Sequence, residues 1–109
     1  MSRRSKDVVP VDAYVVDVLL RDLVGHDKRP AAFLVYLYLY TAAARSRWRP
    51  VAASLRDISE ATGLSKSAVE TAMKVLRRRH LVTTQTSFRT DRPRHQVHRH
   101  WADIRLNNR

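Results

Sequence analysis

Residues 54–82 read SLRDISEATGLSKSAVETAMKVLRRRHLV, and this stretch decides the fold. Ser54 is placed to cap a helix, with Asp57 three residues on where a capping-box partner stands. Leu55, Ile58 and Ala61 then recur on one helical face until Gly63, whose freedom at positive φ ends such a helix. That helix is too short to persist without packing. Leu64 and Ser65 lead at once into a second helix, Lys66 to about His80. Two helices separated by a tight turn containing Gly make a helix-turn-helix over residues 54–80.

On a wheel of about 100° per residue the second of these helices divides cleanly. Val69, Ala72, Met73 and Leu76 form an inward stripe, and Ser67, Thr71, Lys74 and Arg78 cluster opposite. Hydroxyls and cations are the side chains that bond phosphate oxygens and base edges, and a major groove is wide enough to admit a helix. Ser65 and Ser67 lie in the first turn, where the helix dipole and unsatisfied N–H groups favour an anion. Of Arg77, Arg78 and Arg79, one must turn back toward the protein, and Arg78 is the best placed to meet a phosphate. His80 is expected on the apolar side, satisfying terminal carbonyls or the dipole.

Working outward, Leu81–Thr86 is rich in Val and Thr, and Gln96–Trp101 alternates around Val97 and Trp101. Between them Ser87–His95 carries Arg89, Arg92 and Arg94, so residues 81–101 read as a hairpin with a basic tip. Upstream, Pro50–Ala53 has the look of a short edge strand, where Pro is tolerated. Pro30–Ala44 reads as a helix with Pro in its first turn and Phe33, Leu34, Leu37 and Leu39 in the core; Tyr36, Tyr38 and Tyr40 are core or subunit-interface residues. Val15, Val18, Leu19 and Leu23 give a further helix over Val11–Val24, capped by Asp12 and stopped by Gly25. The expected organisation is a flexible basic arm (1–10), one domain (11–101) and a short tail (102–109). The fold class is mainly α with a small β-hairpin.

The segment Leu55–Val82, with D-I-S-E-A-T-G-L-S-K-S-A-V-E-T-A-M-K-V-L-R-R-R-H-L-V inside it, resembles the bacterial winged helix-turn-helix DNA-binding domains of the broad GntR-type and MarR-type group of transcriptional regulators. The resemblance covers about 28 residues firmly and about 70 loosely. It implies that Leu64 and Val69 seat the recognition helix, and that Ser65, Lys66, Ser67, Thr71 and Lys74 face DNA. It implies further that Thr83–His100 is the wing, with Arg89, Arg92 and Arg94 reaching a phosphate or an adjacent minor groove. Ser59 departs from the family's usual small, often Ala, position in the supporting helix.

Composition agrees with a polyanionic partner. The 109 residues hold 21 Lys plus Arg against 10 Asp plus Glu, a formal net charge of +11, more than solubility requires. Hydrophobic residues are 44% and charged residues 28%, enough for one core in a single domain. The excess is concentrated late: nine basic and five acidic residues precede residue 51, twelve and five follow. Cys is absent, which rules out disulfides and thiolate metal sites. The polar, basic Met1–Asp7 gives no expectation of a secretory signal, and the charge-free Pro30–Ala44 falls short of the roughly 20 residues that span a bilayer, so a cytoplasmic protein is expected.

No paired carboxylates, Ser/His/Asp set or Gly-rich phosphate loop is visible, so neither catalysis nor a cofactor is expected. His95, His98 and His100 form H-x-x-H-x-H, but histidines in a basic hairpin more often hydrogen-bond or touch phosphate than hold a metal, and no metal is expected. The expected partners are double-stranded DNA and a second copy of the chain, because Val11–Val24 has more apolar residues than one face can bury. A protein-interaction module or a replication-initiation accessory of the same fold is the alternative.

Overall fold

The computed structural model describes residues 8–86 and 92–102. The chain is mainly helical, with a small antiparallel sheet. The first helix, α1, consists of two wide turns bonded i→i+5, Val15–Leu19 and Arg21–His26, joined through Leu20 in the αR conformation. Then come α2 (Pro30–Arg45), β1 (Val51–Ala52), α3 (Leu55–Thr62), α4 (Lys66–Arg78), β2 (Val82–Gln85) and β3 (Arg94–Val97). Strand order is β1-β3-β2, antiparallel throughout.

The central element is α2, which packs on α1, α3, α4 and β3. Its length and Pro30 at the first turn agree with the sequence, but its buried face is shifted. Tyr36 and Tyr40 are core residues, while Leu34 is exposed and Leu37 half-buried. Each buried phenol needs a partner. The Tyr36 hydroxyl donates to the His98 carbonyl at 3.0 Å, and the Tyr40 hydroxyl accepts from the Asp12 N–H at 3.0 Å. Burial pushes both phenols above their usual pKa.

Gly25 does not stop α1, which continues through it to His26. Asp12 does not cap it through its side chain either; that carboxylate accepts the Trp101 indole N–H at 2.9 Å. Trp101 also stacks on Tyr14 with ring centroids 4.4 Å apart. His98 still donates its N–H to Leu81 O at 2.9 Å, but residues 99–101 leave the sheet to clasp the start of α1, so β3 ends at Val97 rather than Trp101. The same register draws Arg94 and His95 out of the expected tip and into the strand, His95 opposite Thr84 and Arg94 opposite Gln85.

All four helices end in the left-handed region, and only one uses glycine for it; Lys28 (φ +56) follows α1. Gly63 (φ +82) closes α3, Arg47 (φ +58) follows α2, and His80 (φ +60) follows α4. At α4 the His80 N–H donates to Arg77 O and the Leu81 N–H to Leu76 O, the paired bonds of a Schellman motif. His80 is thus an exposed turn residue, not one on the apolar side.

Candidate nucleic-acid interface

The capping box at α3 is present as expected: Ser54 Oγ accepts from the Asp57 N–H at 3.0 Å, and Asp57 Oδ2 accepts from the Ser54 N–H at 2.9 Å. Ile58 is fully buried, Leu55 is half-buried, and Ala61 is exposed because α3 offers only a narrow inner stripe. The turn into α4 is locked by hydroxyls. Ser59 Oγ donates to Leu64 O at 2.6 Å, and Thr62 Oγ1 donates to Ile58 O at 2.7 Å while accepting the Leu64 N–H at 3.2 Å. Ser65 then caps α4, accepting from the Ala68 N–H at 3.1 Å.

Val69, Ala72, Met73, Val75 and Leu76 anchor α4 to the core. On the opposite side Lys66, Ser67, Glu70, Thr71, Lys74, Arg77 and Arg78 are all exposed. Among the described residues Lys66, Lys74 and Arg78 enter no ion pair. The arginine run divides by reach. Arg79 turns back, its guanidinium donating to both oxygens of Asp27 at 2.9 and 3.0 Å, while Arg77 donates to Thr84 Oγ1 at 3.3 Å. The paired Arg79 holds the Asp27 carboxyl at a pKa of about 2, with a smaller part from His26.

Between α4 and the sheet lies a groove of about 390 Å³, bordered by Glu70, Lys74, Arg77, Thr84 and His95. His95 forms its floor and is 3% exposed. Its Nε2 faces the Ala53 carbonyl at 2.8 Å and so carries the proton, leaving Nδ1 to accept from the Thr84 hydroxyl at 3.0 Å. Burial first, and the nearby Arg77 charge second, lower the His95 pKa, against the opposing pull of the Ala53 carbonyl. A second groove runs along the other flank of α4, against the segment joining α1 to α2.

The expected contact residues do not all converge. Ser65, Lys66, Ser67, Thr71, Lys74 and Arg78 share the outer side of α4. Arg92 is bound to Asp57 Oδ2, tying the hairpin to the start of α3, and that carboxyl is held at about 2 by the Ser54 N–H first and by Arg92 second. Arg94 is exposed, and the pleat sets it on the sheet face opposite to His95. Arg89 lies outside the described residues. His98 and His100 are spoken for singly, by Thr83 and Tyr14, and among the described residues no cluster of three His, Asp or Glu can hold a metal. The sequence reading missed Glu70, Lys28 and Arg29. Glu70 was legible from its angle beside Lys74; the other two were not, because they reach α4 only through the fold.

No helix among the described residues is long and apolar enough to cross a membrane. Comparison of the chain with family models, with curated proteins and with solved structures returned no match.

Proposed function

We propose that this chain is a winged helix-turn-helix protein that binds double-stranded DNA sequence-specifically and regulates transcription, with α4 in the major groove and the β2–β3 hairpin as the wing. It is a binding protein rather than an enzyme, acting in the cytoplasm without cofactor or metal. The observation that carries this reading is the outer side of α4: a run of exposed hydroxyls and of cations that enter no ion pair among the described residues, on a helix whose inner side is fixed to the core. Glu70 interrupts that run with a single carboxylate, which suits base discrimination, since a carboxylate accepts from cytosine N4 but repels phosphate.

The experiment is binding of a labelled duplex as a function of salt. Each neutralised phosphate contributes about −0.9 to the slope of log K on log[salt]. Replacing Lys74 and Arg78 by Ala lowers the magnitude of that slope by about 2 with little change in thermal stability. An unchanged slope removes α4 from the interface. A stably folded protein with no affinity for duplex favours the protein-interaction module instead.

A homodimer belongs to the same reading. Val16 (54% exposed), Leu20 (37%) and Val24 (37%) follow one another at intervals of four on the outside of α1. Laid antiparallel about a two-fold at Leu20, Val16 meets the partner's Val24, so the apolar row pairs with itself. Two such copies set their α4 helices to read half-sites about 34 Å apart. Sedimentation equilibrium gives twice the chain mass for the native protein and the single mass for Leu20→Lys; a native monomer overturns the pairing.

A further inference from the structure

Lys28 and Arg29 occupy a segment that is held unusually firmly for a connection. Asp27 is fixed by the two bonds from Arg79, the Asp27 N–H donates to Asp22 O at 2.8 Å, and the Arg29 N–H donates to Leu23 O at 2.7 Å. Between these anchors Lys28 sits at φ +56, a conformation that glycine or asparagine adopts with far less strain than lysine. Both cations are exposed, and among the described residues neither enters an ion pair.

Their placement is specific. Lys28 and Arg29 border a groove of about 250 Å³ whose other wall is Ser67, Ala68, Thr71 and Ala72 of α4. Arg29 also borders an adjoining space of about 500 Å³, together with His26 and Arg78. The carboxylate on this lining is Asp27, and Arg79 already neutralises it. What is left along this flank is three uncompensated cations with two hydroxyl donors.

A helix with its side chains is about 10–12 Å across, and the major groove is about 12 Å wide, so whatever flanks an inserted helix meets the backbones of the two strands. The hairpin stands on one flank of α4 and the Lys28–Arg29 segment on the other. We propose that the groove formed by Lys28, Arg29, Ser67 and Thr71, with Arg78 beside it in the adjoining space, is a seat for the phosphodiester backbone of duplex DNA, gripping the strand opposite to the one met by the hairpin. The proposal rests on the DNA-binding reading above. It adds a second, sequence-independent contact that fixes the register of α4 in the groove. It also accounts for the lysine at a left-handed position, where the charge is kept at the cost of strain.

The test uses Lys28→Gly and Arg29→Gln, singly and together, in the full chain. Lys28→Gly has opposite effects on two readouts: the melting temperature rises as the strain is relieved, while duplex binding weakens and the salt slope falls in magnitude by about one. Arg29→Gln lowers the slope by a similar amount, and the pair by about two. Specific and random duplexes are weakened by the same factor, because phosphate carries no sequence information. A double variant with the native slope overturns the proposal alone, provided the Lys74/Arg78 variant still flattens it. A native protein that ignores duplex DNA overturns this proposal and the DNA-binding reading together.

Discussion

The Ser59 hydroxyl donates to the Leu64 carbonyl at 2.6 Å, joining the middle of α3 to the turn that launches α4. Alanine at this position packs without difficulty but makes no such bond. Ser59→Ala is therefore expected to destabilise the protein by about 1 kcal/mol, the usual net worth of an intramolecular hydrogen bond. Faster amide exchange at Leu64 and Ser65 than at the α2 core locates the loss in the turn; an unchanged melting temperature and exchange pattern would show the bond to be energetically silent.

His80 and Gly63 form a natural pair of opposites. Both stand just past a helix in the left-handed region, at φ +60 and +82. A Cβ at Gly63 meets nothing within 4 Å, so the cost of Gly63→Ala is conformational alone, about 1 kcal/mol. His80→Gly removes the same strain and stabilises by about 1 kcal/mol. Equilibrium urea unfolding of both variants checks the signs; stabilisation by the first or destabilisation by the second contradicts this account of the helix ends.

Acid weakens the fold through His95. Its folded-state pKa lies below its ordinary value, so in moderate acid the unfolded chain binds a proton that the folded chain refuses. The contribution is complete above about pH 6.5, the ordinary histidine value, and is lost progressively as the pH falls below it. Asp27 and Asp57, both held at about 2, add a second loss as pH falls below the usual carboxylate range near 3.8. Melting temperatures from pH 8 to pH 5 should decline for the native protein. The decline should be shallower for His95→Gln, which has a lower plateau because it cannot span both Thr84 and Ala53. Parallel profiles assign the decline to other histidines.

Much of the fold follows from local rules. The capping box of Ser54 and Asp57, Gly63 as the end of α3, and the inward stripe of α4 each depend on residues within a turn or two of one another. Periodicity also locates α2 to within a residue. It places Phe33 and Leu39 in the core correctly and errs on Leu34 and Leu37, because Tyr36 and Tyr40 fill that space once their hydroxyls find His98 O and the Asp12 N–H. Those partners are 62 and 28 residues away and leave no periodic trace.

The amino-acid sequence by itself settled the helical content and the division of α4 into apolar and polar sides, since both express the 3.6-residue repeat and the water-avoidance of nearby side chains. The tertiary structure alone decided where three things fall: the start of β3, the helix ends that lack glycine, and the division of Arg77, Arg78 and Arg79. The strand start depends on cross-strand register with β1 and β2, and its end on the clasp of Trp101 over Tyr14. A left-handed histidine, arginine or lysine persists only where packing over-determines it. Arg79 turns inward because Asp27, 52 residues earlier, is carried to it by the packing of α1 and α2, and the same packing brings Lys28 and Arg29 to the side of α4.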